Sequence, residues 1–170
     1  MFTTIFIYLN VVVRGMENII IRGPLGIGKT TIAKALAEKL KAEYVSIDEL
    51  LEKEGLDNVD KKIGKIPLKN FILVNDIIAK MNGDKVIDGN LYYKEQVEDL
   101  VKRLGNCKVF TLKASVDVCI NRDKSRKRVY GEGAARAVYN LVTAFGYGTL
   151  INTENKTKED VVEDILEVLG

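Results

Sequence analysis

The sequence predicts an α/β fold: a parallel sheet covered by helices on both faces. Two observations predict it. Short apolar runs alternate with stretches of helical periodicity from about residue 18 onward, and a Gly-rich turn joins the first run to the first helix. With 170 residues, 46% hydrophobic and 29% charged, the chain also has the size and balance of one globular domain.

Taken in order, Asn18–Arg22 reads as a strand, followed by a helix from about Lys29 to Leu40 with Ile32, Ala33, Leu36 and Leu40 on one face. Tyr44–Ile47 is a second strand, and Asp48–Glu54 a short helix stopped at Gly55. Pro67 opens a helix carrying Phe71, Asn75 and Ile78 on one side, with Gly83 just past its end. Lys85–Ile87 is a third strand, Lys94–Leu104 a helix ended by Gly105, and Lys108–Leu112 a fourth strand. Ser115 is placed to cap the next helix, with Asp117 in its positive first turn. Residues 131–145 hold a further helix, and Leu150–Asn152 is a fifth strand. Thr157 and Asp160 form a capping box for the last helix, where Val161, Ile165 and Leu169 point one way.

Two segments break this rhythm. Residues 55–66 have no clear period and hold three lysines and two glycines, and residues 121–133 are rich in Arg and Lys. Charged loops at such places in a parallel sheet are where ligands are gripped and released. At the other extreme, Met1–Val13 is apolar but interrupted by Asn10 and closed by Arg14. It is shorter than the ~20 residues a bilayer span takes, and it lacks the positive start and small-residue cleavage site of a secretory signal. Residues 1–15 are therefore read as an N-terminal extension, either an added edge strand or sequence upstream of Met16 as initiator, with no chemical role. Residues 16–170 form the domain. A cytoplasmic protein with no membrane partner is expected. Two cysteines, Cys107 and Cys119, are too few for a disulfide scaffold and read as buried reduced thiols.

Composition narrows the chemistry. A net charge of +2 excludes a wholesale polycation, so a nucleic-acid partner would need a local basic patch. Histidine is absent, which removes imidazole bases and His-ligated metals and leaves proton transfer to a carboxylate, Lys, Tyr or Cys.

The strongest signal is Gly23-Pro24-Leu25-Gly26-Ile27-Gly28-Lys29-Thr30, which matches G-x-x-x-x-G-K-[ST] directly after a strand and opens a helix. Glycines let successive backbone N–H groups curl into an anion nest, and the helix N-terminus adds about half a positive charge. Gly23, Gly26, Ile27, Gly28, Lys29, Thr30 and Thr31 are the expected nucleotide contacts, with Lys29 on the terminal phosphates and the Thr30 hydroxyl on a magnesium ion. The ligand is a nucleoside triphosphate; the loop alone does not say what is done with it. A guanine-reading N-K-x-D element is missing, since Asn155-Lys156-Thr157-Lys158 lacks the Asp. A mechanical ATPase usually places Glu directly after its metal-site Asp, whereas Asp88 here is followed by Gly89 and Asn90. Transfer of phosphate to a bound acceptor remains. Asp88, at the end of an apolar run, is the expected metal-site acid; the alternative is a turn residue before Gly89.

Gly23–Thr31, Asp88-Gly89 and the segment Arg122–Arg128 together resemble the P-loop kinases of the adenylate-kinase superfamily. The nearer likeness is to the hydroxyl kinases among them: polynucleotide 5′-hydroxyl kinases, zeta-toxin-like and chloramphenicol-phosphotransferase-like proteins. The resemblance covers about residues 16–169. It implies a three-layer fold with a five-stranded parallel sheet, the phosphate-loop strand at its centre, Mg2+ and ATP as cofactors, and a short Arg-rich lid. It implies that Asp48, read as the end of the second strand, takes the acceptor's proton; capping the following helix by Ser46 or Asp48 is the alternative. It implies that Arg122 and Arg126 act on the transferring phosphate, with Arg128 as a spare nucleotide contact. A solvated charged face is the bland reading of that run. Arg136 is a further candidate to face the site. Ile151-Asn152-Thr153 resembles the family's I-D-T near the adenine, with Asn152 in place of Asp.

The acceptor is expected to be a small hydroxyl compound, a nucleoside or a nucleic-acid 5′ end. A nucleoside monophosphate kinase would want arginines for its acceptor phosphate, and between Asp48 and Lys108 the sole arginine is Arg103. Tyr92, Tyr93 and Lys94 either contact the acceptor or start a helix. Lys61, Lys62 and Lys65 are the counterargument, as cations for an acceptor phosphate or an RNA backbone, although three lysines on a loop are more often solvated than ligated. Two alternatives stand beside the hydroxyl kinase: the nucleoside monophosphate kinase, and a nucleotide-binding regulatory module with little turnover. Oligomeric state is not legible in the sequence.

Overall fold

A computed structural model describes residues 17–125 and 130–170. The chain runs β1 (Asn18–Arg22), α1 (Lys29–Leu40), β2 (Glu43–Ser46), α2 (Ile47–Lys53), α3 (Leu68–Ala79) and β3 (Lys85–Gly89). It continues α4 (Lys94–Leu104), β4 (Cys107–Lys113), α5 (Val116–Lys124), α6 (Glu132–Thr143), β5 (Thr149–Asn152) and α7 (Lys158–Leu169). The five strands form one sheet in the order β2-β3-β1-β4-β5, all parallel, with the strand that feeds the phosphate loop at the centre. The N-terminal extension of residues 1–15 lies outside the described residues. No helix among the described residues is long and apolar enough to cross a membrane.

Every residue of β1 is buried, because a central parallel strand is covered on both faces. Its side chains alternate between two cores. Ile19 and Ile21 enter a cluster with Leu36 of α1, Phe110 of β4 and Ile165 of α7, while Ile20 enters a second with Phe71 and Ile78 of α3 and Leu100 of α4. The capping box on α7 is present, with Thr157 accepting from the Asp160 N–H and the Asp160 carboxylate accepting from the Thr157 N–H. Ser115 does stand at the N-cap of α5, but its side chain makes no cap bond; instead its N–H donates to Glu154 Oε1 at 2.6 Å.

One strand end differs from the sequence reading. β2 stops at Ser46, whose hydroxyl accepts from the Glu49 N–H, so Ile47 and Asp48 already belong to α2. Ser46 wins because an N-cap must leave the extended region just where its side chain can reach back to an orphan N–H. Ile47 stays apolar and buried, now as a helical residue. Both cysteines are free thiols, Cys119 buried in α5 and Cys107 half-buried at the start of β4.

Arg22 closes β1 and is fully buried. Its guanidinium donates to neutral oxygens: Nε to Leu91 O at 3.0 Å, Nη1 to Thr111 Oγ1 at 3.3 Å, and Nη2 to Val142 O at 2.5 Å and Phe145 O at 3.3 Å. It also lies 4.1 Å over the Phe145 ring. Burial pulls its pKa down to about 10, so it remains a cation at neutral pH. Carbonyls at the C-terminal end of α6 carry the negative end of the helix dipole and stand in for a carboxylate. Replacing Arg22 by Met keeps most of the apolar stem but leaves these carbonyls without a donor, each worth ~1–3 kcal/mol when buried. Relief of the guanidinium's desolvation offsets part of this. A net stability loss of about 2–4 kcal/mol is expected in urea unfolding, and a variant as stable as the parent would show that the carbonyls find water instead.

Candidate active site

The phosphate loop, residues 23–28, joins β1 to α1, and two of the cavities that border it hold candidate site residues. Its backbone turns on two glycines. Gly28, at φ 101, is the residue from which α1 starts, and nothing lies within 4 Å of where a β-carbon would stand. Gly26, at φ 75, sits against α5, so that a β-carbon would come 2.1 Å from the Cys119 carbonyl oxygen. The first is a conformational demand and the second a packing demand as well. Lys29 is buried, and its Nζ bends back to donate to Pro24 O at 2.8 Å, placing an ammonium group over the loop.

The first cavity is a groove along the outer side of the loop. Gly26, Gly28, Lys29, Thr30, Thr31 and Arg122 surround about 200 Å³ of it. It continues, through Gly28, Thr31 and Arg122, into a further 240 Å³ beside Ile27, Thr153, Lys156 and Lys158. Arg122, on α5, bridges the two parts. Its Nη1 donates to Thr153 Oγ1 at 3.1 Å and Ile27 O at 3.4 Å, and its Nη2 to Thr153 O at 3.0 Å. The planar fork is thus held edge-on at the junction of loop and β5 end. Gly23 is buried below the groove, between Ile27 and Leu112.

Asp88, near the end of β3, is 3% exposed and stands in register with Ser46 of β2 and Ile21 of β1. The Tyr44 hydroxyl donates to Asp88 Oδ2 at 3.2 Å. Burial first, and then the Asp88 charge, push the Tyr44 phenol up to about 12, partly offset by hydrogen bonds with Ser46 and Thr30. Tyr44 therefore stays a neutral donor at the point where the Thr30 hydroxyl and the Asp88 carboxylate converge. No cluster of three or more His, Cys, Asp or Glu capable of holding a metal exists among the described residues. One carboxylate and neighbouring hydroxyls are hard oxygen donors that fit Mg2+, an ion that keeps waters and phosphate oxygens in its shell rather than taking an all-protein cage.

The second cavity, about 370 Å³, meets the loop at Leu25, the residue before Gly26. Asp48 lines it together with Asn90 and Tyr92 from beyond β3, Tyr130 from just before α6 and Val138 from α6 itself. Asp48 reaches it from the first turn of α2, not from a strand end as its sequence context suggested.

Other sequence candidates fall elsewhere. Asn152 is exposed, and its Oδ1 accepts from the Glu154 N–H at 3.2 Å, a local turn; the next residue, Thr153, is the one that lines the groove. Arg136 lies on the exposed face of α6, paired with Glu132 at 3.2 Å, and lines neither cavity. Arg126 and Arg128 lie outside the described residues. Tyr93 donates to Ile66 O at 2.9 Å and braces the loop 55–66. Sequence reasoning missed Tyr44 and Thr153. Tyr44 gives no motif signal; Thr153 was visible as the last letter of the I-x-T string.

The chain is similar to known proteins in sequence and in fold. A family model described as Novel STAND NTPase 3 matches residues 10–128, well over half of the chain. A shikimate kinase from Thermodesulfovibrio yellowstonii is 26% identical over 165 residues, covering 89% of this chain and 94% of the relative. A cytidylate kinase from Sulfurisphaera tokodaii is 28% identical over 171 residues, covering 88% and 92%. Among solved structures, a sugar kinase from a Janibacter species superposes with a TM-score of 0.75 at 16% identity, over 91% of this chain and 95% of that one. The tunicamycin resistance protein of Deinococcus radiodurans gives 0.68 at 21% identity, over 92% and 96%. The fold is that of the P-loop kinases, as the sequence resemblance implied.

The two glycines separate by substitution. Gly28→Ala strains only φ and is expected to cost about 1–2 kcal/mol. Gly26→Ala must also push α5 off the loop, and about 3 kcal/mol or more is expected, measured as the difference in urea midpoints. Equal losses would mean that α5 does not press on the loop.

Proposed function

We propose, for a chain that belongs to the Novel STAND NTPase 3 family and is an ATP-dependent phosphotransferase of the P-loop kinases, that it phosphorylates a hydroxyl group of a small acceptor. The observation that carries this reading is the division of space at the phosphate loop: Gly26 belongs to the nucleotide groove and Leu25 to a separate cavity that contains a carboxylate, Asp48. A hydrolase needs only the first space and a water.

In this reading the loop amides and Lys29 hold the β- and γ-phosphates of ATP, and Arg122 braces the nucleotide between the loop and Thr153. Mg2+, held by Thr30 and Asp88, would neutralise phosphate charge. The acceptor hydroxyl lies in the second cavity, where Asp48 takes its proton as the oxygen attacks the γ-phosphorus. The bond to the β–γ bridging oxygen breaks, leaving ADP and a phosphate monoester, with the proton on Asp48. Tyr44 donates to Asp88 and keeps that carboxylate turned toward Thr30. Arg126 and Arg128 are proposed, from sequence alone, to cover the transferring phosphate.

Acceptor phosphate recognition, as in a nucleoside monophosphate kinase, calls for arginines at the acceptor. Arg103 is engaged by Asp99 at 2.7 Å and Asp76 at 3.1 Å on the outer side of α3 and α4, and no arginine lines the second cavity among the described residues. The family description names an NTPase and no acceptor, which leaves a second reading, a nucleotide-binding regulatory module whose turnover no acceptor stimulates. ADP release measured across a panel of hydroxyl compounds separates the two: stimulation by an acceptor supports the kinase, and ATP binding with no stimulation supports the module.

Two substitutions give distinct signatures. Lys29→Ala is expected to lower kcat by about 100-fold or more, because it removes the cation on the transferring phosphate. Asp48→Asn is expected to lower kcat by about 10²–10⁴ while the ATP dissociation constant, read by calorimetry, changes less than about twofold. Full turnover in Asp48→Asn would remove it as the base.

A further inference from the structure

We infer that Tyr44 is the positioning residue of the metal site: its phenol oxygen takes the hydrogen of the Thr30 hydroxyl and its own hydrogen goes to Asp88, so that both groups present lone pairs to one Mg2+. This rests on the assignment of that ion to Thr30 and Asp88 above, and adds to it a residue outside that pair.

The placement comes from the sheet. In the parallel register of β2 on β3, Tyr44 stands beside Val86 and Ser46 beside Asp88. Side chains two apart on a strand share a face, so these four look the same way. That face is the one α1 covers, since Val86 and Tyr44 both pack into the core that holds Leu36. Thr30 is in the first turn of α1. The Tyr44 hydroxyl therefore bridges from one step below the carboxylate, while Lys34, four residues after Thr30 on α1, lies 5.0 Å from the centre of its ring.

The sense of the hydrogen bonds follows from counting protons. An ionised carboxylate only accepts, so the Tyr44 hydroxyl gives its single hydrogen to Asp88 Oδ2 at 3.2 Å. The phenol oxygen then has acceptor capacity alone, and the two hydroxyls bonded to it, Thr30 and Ser46, are its donors. Ser46 keeps its hydrogen for this, because its Oγ accepts from the Glu49 N–H at 3.3 Å. A threonine hydroxyl that offers a lone pair to a cation turns its hydrogen away, and Tyr44 is where that hydrogen goes. Without this acceptor the hydroxyl rotates and the carboxylate loses its fixed orientation. Outer partners that hold ligands in this way are typically worth about 10- to 100-fold in metal affinity. Ser46 is also the N-cap of α2, so one chain of bonds runs from the start of that helix to the metal carboxylate. A phenylalanine fills the space of the ring equally well, so the task belongs to the hydroxyl.

Calorimetry on the full chain with a non-hydrolysable ATP analogue, in Mg2+ and in EDTA, gives the ratio of the two dissociation constants, which is the coupling between metal and nucleotide. In Tyr44→Phe this ratio is expected to fall at least about fivefold, with the constant in EDTA within about twofold of the parent. Asp88→Asn, measured alongside, is expected to lose more of the coupling. A loss of affinity equal in Mg2+ and EDTA, or a ratio unchanged in Tyr44→Phe while Asp88→Asn lowers it, overturns the inference and leaves the metal assignment standing; the tyrosine then only packs. A ratio unchanged in Asp88→Asn overturns both. Acceptor-stimulated ADP release by the parent chain is scored separately and decides the kinase reading alone.

Discussion

The arrangement depends on a buried cation that no carboxylate meets. Arg22 ends the central strand one residue before the phosphate loop, and its four hydrogen bonds run to the Leu91 turn, to β4 and to the C-terminal end of α6. Each of those segments borders a working surface: residues 90–92 and α6 wall the second cavity, and Thr111 in turn donates to Tyr147 O at 2.7 Å, tying the approach to β5. A guanidinium suits this task because its donors lie in one plane at fixed angles. Carbonyl partners impose geometry without lowering the cation's energy as far as a carboxylate would, so the site trades stability for placement.

The groove along the phosphate loop and the second cavity differ in the charged side chains that line them among the described residues. Around the nucleotide groove stand Lys29, Arg122, Lys156 and Lys158, with main-chain amides at the start of α1. Around the second cavity stand Asp48, Glu52, Asp57 and Lys65. The loop divides them within two residues, Leu25 and Gly26.

Much of the fold was legible because parallel sheets write themselves as apolar runs separated by helices, and α1, α4 and the α7 capping box fall where periodicity and caps put them. The loop residues were legible because backbone curvature demands glycine. What was not legible came from distant segments. The burial of Arg22 depends on residues 91, 111, 142 and 145, so a charged residue at a strand end carries no local sign of it. Tyr44 becomes a neighbour of Asp88 only through the register of β2 on β3. Asp48 lines the second cavity from a helix and not from a strand end: alternation of Val45 and Ile47 mimics a strand that Ser46 has already ended. Asn152 gave way to Thr153 because a short amide side chain folds onto the next turn more readily than it reaches across a groove.

The sheet also keeps two cores apart. Residues of α1, α5 and α7 pack on one face, and those of α2, α3 and α4 on the other, meeting only through alternate side chains of the strands. Substitutions on the second face reshape the pocket wall without disturbing the packing behind the triphosphate. A lineage built this way can inherit its energy source unchanged while drifting from one alcohol to another, which accounts for how a single scaffold comes to serve unrelated chemistries.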